Sequence, residues 1–261
     1  MTETLSASPP NGWQTIPGNW DALHATQRFP SSNRWGIPTI QRTTLADTPA
    51  WLAPYRTVIR SQTPLRGATH FFLHDYRFET VWNRPQQTWS AVSQCPIALS
   101  PDFSLYRDWP LVLQLWNVHR NRWCGAYWQS CGLTVIPTLS WSTPESYEFC
   151  YCGVELHSLV AISTLGVKLD QAPEYAWFMA GFREMLARLE PSRVLCYGPA
   201  PRAAHALADV VTYPTGWKGV RHARRRGYGK AVPRWERAEQ LRAENHNGDR
   251  DESIESILDG W

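Results

Sequence analysis

Short apolar runs without polar interruption recur along this chain, and each is followed by a polar or amphipathic stretch. Seven candidate strands follow from them, at 36–40, 69–75, 96–102, 133–139, 159–165, 193–198 and 209–213. Most do not alternate apolar with polar residues, which is the pattern of strands covered on both faces, and both-face burial is the habit of parallel sheets. Helical spacing fills the gaps. Residues 110–130 open on Pro110 and repeat Leu113, Trp116, Val118, Trp123 and Tyr127 before Gly132; 144–152 is a weaker pattern. Residues 173–190 place Trp177, Phe178, Gly181, Met185 and Leu189 on one face, and Pro191 closes the element. Strand, helix, strand is the signature of right-handed crossovers. The expected fold class is therefore α/β, a mostly parallel sheet with crossover helices, and a TIM-like barrel, closed or incomplete, is favoured over a doubly wound sheet.

Charge divides the chain further. Residues 218–237 set Lys218, Arg221, Arg224, Arg225, Arg226, Lys230, Arg234 and Arg237 against one acid, Glu236, a net of +7, while 238–261 carries seven acids and two arginines, a net of −5. Four parts are expected: an irregular extension over 1–34, the α/β domain over 35–216, a basic aromatic-containing segment over 217–237, and an acidic disordered tail over 238–261. Trp13, Trp20, Leu23 and Phe29 suggest that part of the extension docks on the domain. Basic side chains interleaved with Trp217, Tyr228 and Trp235 suit phosphates and bases, which makes nucleic acid, DNA or RNA, the expected partner, read through Lys218, Arg221, Arg224, Arg225, Arg226, Lys230 and Arg234. The competing account is a solvated end whose basic and acidic halves pair with each other.

No apolar stretch approaches membrane-spanning length, and Met1–Asn11 has no signal-peptide pattern, so a cytoplasmic protein without a membrane partner is expected. Its six cysteines sit in apolar or aromatic segments of a chain large enough to need no staples, which favours reduced thiols. Walker, GxGxxG, HExxH and GxSxG motifs are absent, and Cys150-Tyr-Cys152 lacks the spacer of a zinc site. No cofactor and no metal are expected.

In parallel α/β folds the ligand sits where strands end, because loops diverge there and helix amino termini point inward. Asp75 and Asp102 each follow an apolar run at that position, so two carboxylates are placed to divide acid and nucleophile or base roles, Asp102 as nucleophile or base and Asp75 as acid. Arg77, Ser104, Tyr106, Ser140 and Trp141 stand at neighbouring strand ends as substrate-binding candidates, the aromatic rings offering a stacking surface. Arg120 and Arg122, on the 110–130 helix, match carboxylate or phosphate geometry and join the same set. The plainer alternative has Asp102 capping a turn after Pro101, Asp75 paired with Arg77, and the two arginines in structural salt bridges.

The strings THFFLHDYRFETVWNRP, IALSPDFSLYRDWP, QLWNVHRNRWCGAYWQSCGLTVIPTLSW, LVAISTLGV and FMAGFREMLARLEPSRVLCYG together resemble the uncharacterised family named domain of unknown function 4417, carried by phages, plasmids and integrated elements, over about residues 33–215. The resemblance implies a mobile-element setting, in which a nucleic-acid role is expected ahead of metabolic work, and it carries no activity. His74 stands where the family places an acid. Aspartates after successive strands are also similar to the barrel of transglycosylases that exchange bases in nucleic acid, an analogy of fold rhythm alone. The functional expectation is thus a mobile-element, nucleic-acid-associated protein with a carboxylate and arginine pocket for glycosyl- or base-exchange-type chemistry on nucleotides; the alternative is a non-catalytic binding or regulatory protein acting on DNA or a host protein.

Overall fold

The computed structural model describes residues 21–61 and 65–216. The 217–237 and 238–261 segments, with every basic residue assigned to nucleic acid, lie outside the described residues, as do Trp13 and Trp20.

Among the described residues, seven strands are separated by seven α-helices. They run β1 Leu52–Pro54, α1 Tyr55–Val58, β2 Ala68–His70, α2 Thr80–Asn83, α3 Pro85–Val92, β3 Ile97–Leu99, α4 Leu111–Ser130, β4 Thr134–Ile136, α5 Tyr147–Cys150, β5 Leu159–Ser163, α6 Ala172–Leu189, β6 Arg193–Tyr197, α7 Arg202–Leu207 and β7 Val210–Tyr213. All pairs are parallel, in the order β1-β2-β3-β4 in one sheet and β5-β6-β7 in another. Past β4, a parallel bridge between Thr138 and Ala161 joins the two, with Leu139 N–H donating to Ala161 O at 2.8 Å and Ala161 N–H to Pro137 O at 2.9 Å. Strand order therefore follows chain order without reversal. Spatially adjacent, same-direction strands need a crossover each, and the helices supply it.

Side chains alternate between two environments. Leu52, Ala68, Leu99, Ile136, Ala161, Leu195 and Tyr213, one from each strand, belong to a single inner cluster. Their neighbours Ala98 and Val135 pack outward against α2 and α4, while Val160, Ile162, Val194 and Cys196 pack against α6. Both faces are thus dry, which explains the uninterrupted apolar runs.

One expectation is corrected, and two points that the sequence left open are answered. The 36–40 run forms no strand: Gly36 sits at φ +67°, Pro38 has no N–H to donate, and only Ile40 makes a bridge, to Val154. β1 and the short helices of 55–58, 80–83 and 85–92 were not foreseen, being too short to show a period. Hydrogen-bonded closure of a barrel is not formed among the described residues; no strand pair joins β7 to β1, and Tyr213 Oη instead donates to Pro49 O at 2.6 Å just ahead of β1. The long helices fall within a residue of the expected bounds, and the 144–152 pattern resolves into a 3-10 turn at Pro144–Ser146 followed by α5. Within 21–34 the chain is irregular but docked. His24 stacks on Trp123 at 4.4 Å, Phe29 meets the same ring edge-on at 5.6 Å, and Trp123 Nε1 donates to Gln27 O at 2.9 Å. Leu23, by contrast, is 61% exposed. All six cysteines are free thiols. No helix among the described residues is long and apolar enough to cross a membrane.

Candidate functional site

A cleft of about 550 Å³ opens at the carboxyl ends of β2, β3, β4 and β5. Four strand-end loops and the first turns of α6 line it, contributing Phe72, His74 and Arg77; Asp102, Ser104, Tyr106 and Arg107; Ser140, Trp141 and Ser142; Ser163; and Glu174, Trp177 and Phe178. The strand-end rule thus locates the cavity, and its size suits a small organic ligand.

Asp102 reaches this cleft because β3 ends at Leu99 and the chain leaves the sheet in extended form. Part of its surface opens on the cavity, but protein crowds its other sides. Burial pushes its carboxyl up to about 7, the nearby Asp75 carboxylate adds to the rise, and the Ser140 side chain opposes both as a hydrogen-bond partner. A carboxyl poised there exchanges a proton at neutral pH.

Asp75 opens a 3-10 turn, Asp75–Arg77, five residues past the end of β2. Its carboxylate accepts two hydrogen bonds from Ser104, from the backbone N–H at 3.0 Å and from Oγ at 2.8 Å. It is not among the residues lining the cleft, and no ion pair with Arg77 forms. The two aspartates are therefore neighbours in different layers: Asp102 faces the cavity, while Asp75 fixes the loop that carries Asp102 and Ser104.

Behind that loop stands a chain of polar contacts. Asn117 Nδ2 donates to Ser104 O at 2.7 Å, Arg120 donates to Asn117 Oδ1 at 2.5 Å, and Arg120 is ion-paired with Glu79 while its guanidinium lies 3.9 Å over the Phe103 ring. Arg122 is fully buried. It donates to Cys152 O at 3.0 Å, Cys150 O at 2.9 Å, Thr138 O at 2.8 Å and Asn121 Oδ1 at 2.7 Å. Neither arginine enters the cleft. Both tie α4 to the strand-end loops, which is the structural alternative raised by the sequence, though Arg122 holds carbonyls in place of an acid.

Arg77, Ser104, Tyr106, Ser140 and Trp141 do line the cavity. Trp141 is seated by α6: a Cβ on Gly181 would lie 2.2 Å from the Trp141 ring, so only glycine lets the indole lie against this helix. Phe178 packs 5.5 Å from the same indole, and Tyr151 Oη caps the arrangement by donating to Gly181 O at 2.7 Å. Sequence reasoning placed Trp177 on the buried helix face, yet it is 38% exposed at the cleft mouth. There Arg107 bridges the two walls, pairing with Glu174 at 2.5 Å and lying 5.6 Å over the Trp177 ring. Arg107, Glu174 and Phe178 were missed as site residues. The signal for them was present, since the rule that strand ends hold the ligand covers the loop after β3 that carries Arg107 and brings in the first two turns of the helix after β5.

The family described as Domain of unknown function (DUF4417) matches residues 29–214. The chain is similar to the Gene 1 protein of Mycobacterium phage D29, 43% identical over 208 residues covering 78% of this chain and 76% of that one. It is likewise similar to the Gene 1 protein of Mycobacterium phage L5, 42% identical over 208 residues covering 78% of this chain and 90% of that one. No solved structure matches it.

Proposed function

From a chain that belongs to the DUF4417 family and has phage relatives, we propose an enzyme that performs acid–base glycosyl chemistry on a nucleobase-bearing substrate, with Asp102 as the proton-exchanging group. The observation that carries this reading is Asp102 itself, a carboxyl held near neutrality inside an aromatic-walled cleft. In N-glycosidic cleavage or exchange the sugar–base bond breaks and its electron pair leaves with the base, which takes the Asp102 proton. Water or the N–H of a second base then adds to the sugar carbon and gives up its proton to the Asp102 carboxylate, which restores the acid. Trp141, Phe178 and Tyr106 offer flat faces for a purine or pyrimidine ring. Asp75 serves as a positioning residue through Ser104, and the acid role that strand position alone assigns to Asp75 passes to Asp102.

The sequential parallel order and an interior fed by all seven strands support a further reading of the fold as an incomplete TIM-like barrel with its reactive mouth at the strand ends. The +7 charge of 218–237 supports nucleic-acid association. The test is release of free base from nucleosides, nucleotides and single-stranded DNA or RNA, followed by chromatography. Wild type is expected to release base and Asp102→Asn to lose at least about a hundredfold in rate, within the range general acid–base catalysis supplies. Equal rates for the two proteins, or no release from any substrate, overturn the proposal. A non-catalytic binding protein would instead bind ligand in the cleft and leave it unchanged.

A further inference from the structure

The charges facing the cleft do not balance locally. Arg107 is satisfied by Glu174 across the mouth. Arg77 has no such partner among the described residues: it is half-buried, its Nε donates to Tyr76 Oη at 3.0 Å, and its guanidinium lies 5.3 Å over the Tyr76 ring. Among the described residues no carboxylate lies within ion-pair reach of Arg77 and no oxygen accepts from its two terminal nitrogens. Asp75, two residues earlier, gives its two oxygens to Ser104. A guanidinium fork that lines a cavity, held by one edge and one face with its other donors open, is built to receive two oxygens of an anion.

The same cleft also offers apolar ring faces from Trp141 and Phe178, the former locked by Gly181. A ligand with a flat ring and an anionic group meets both features. We infer that the cleft takes a mononucleotide, a nucleobase against the Trp141 wall with its phosphate on the open fork of Arg77, in preference to the uncharged nucleoside or base. This rests on the nucleobase reading proposed above and adds the phosphate subsite to it. Arg77 acts in it as a specificity-determining residue and takes no part in proton transfer.

The experiment is calorimetric titration of the full chain with AMP, UMP, adenosine, uridine and inorganic phosphate, for wild type, Arg77→Gln and Arg107→Gln, with circular dichroism to verify that each variant is folded. Charge-assisted bidentate contacts predict that wild type binds each monophosphate roughly 10- to 100-fold more tightly than its nucleoside. In Arg77→Gln the monophosphates fall to the level of the nucleosides, whereas Arg107→Gln keeps the preference. Inorganic phosphate is expected to compete with AMP and not with adenosine. Equal binding of AMP and adenosine to wild type overturns the phosphate subsite and leaves the nucleobase reading standing; binding of inorganic phosphate alone, or of none of the five, overturns both. A preference lost in Arg107→Gln and kept in Arg77→Gln places the anion on the wrong arginine and equally refutes the assignment.

Discussion

Replacing Asp102 by asparagine tests the electrostatics of the cleft without any knowledge of its ligand. The ordinary carboxyl value of 3.8 describes this group in the unfolded chain, and the folded protein holds it at about 7. Between those values the native state keeps a proton that the unfolded state has released, so unfolding loses a proton and stability falls as pH rises, by about 1.4 kcal/mol per pH unit. The stability is fully present below the unfolded value and is lost by the time pH passes the folded one. A displacement from 3.8 to about 7 corresponds to about 4 kcal/mol of strain on the ionised form. Asparagine has the shape of the protonated acid, can still engage Ser140, and does not ionise. Urea unfolding of wild type and Asp102→Asn at half-unit steps from pH 4 to 8 measures the effect. The variant is expected to match wild type near pH 4 and to exceed it by up to about 4 kcal/mol at pH 8. Only the difference between the two curves is diagnostic, because His70 titrates with the opposite sign. Burial depresses its imidazole from 6.5 to about 3, so the unfolded state binds the extra proton and stability rises with pH across that window. Where the windows overlap, the two slopes oppose each other in the wild-type profile and the Asp102 contribution is masked. Parallel curves for wild type and variant across the whole range would refute a raised Asp102 carboxyl, and with it the acid–base role.

Gly181→Ala gains helix propensity but drives a methyl group to 2.2 Å from the Trp141 ring, so it is expected to lower stability by about 1–3 kcal/mol and to weaken ligand binding, measured by thermal melting and titration. Arg122→Met strands the carbonyls of Cys150 and Cys152, while Thr138 O keeps Asn121, and at about 1–3 kcal/mol for each unmet acceptor the loss should reach at least about 2 kcal/mol by urea titration. Arg107→Gln breaks a partly exposed pair and should change stability by less than about 1 kcal/mol in the same measurement. In the full chain, Arg224, Arg225 and Arg226 all replaced by Gln should flatten the salt dependence of DNA affinity by up to about 3 in log–log slope, whereas an unchanged slope removes that segment from the interface.

The elements legible in the sequence are those whose burial is uniform along their length. β5 and β6 are apolar on both faces and stand out as runs, and α6 shows its period because only one side is covered. β1 has three residues, one of them Pro54, and gives no pattern to detect. The 36–40 run imitates a strand because its apolar residues serve a different purpose: Ile37 and Ile40 fill the two clusters outside the sheet. At the site, strand-end placement identified Asp102 and its neighbours, but not which aspartate would face the cavity. That depends on the Ser104 loop folding back onto Asp75, a contact between residues 29 apart with no local signature.

α4 explains why its polar residues resembled a binding site. Twelve of its twenty residues are buried, among them Gln114, Asn117, Arg120, Asn121 and Arg122, so its sequence reads as neither clearly amphipathic nor wholly apolar. Three-residue strands leave most of the chain between β3 and β5 outside any ladder, and the backbone groups of those loops still need partners. α4 supplies them. Ser100 Oγ donates to Asn121 Oδ1 at 2.7 Å and accepts from Thr138 N–H at 2.8 Å, Asn121 reaches Thr138 O at 3.2 Å, and Gln114 accepts from Ser142 while donating to Trp109 O at 2.9 Å. Polar side chains on this helix therefore replace the missing ladder bonds of the loops that bear Asp102, Ser140 and Trp141. A cleft built on such short strands requires a helix of this composition whatever its chemistry, which is why Arg120 and Arg122 stand behind the strand-end loops while Asp102, and not Asp75, lines the cavity.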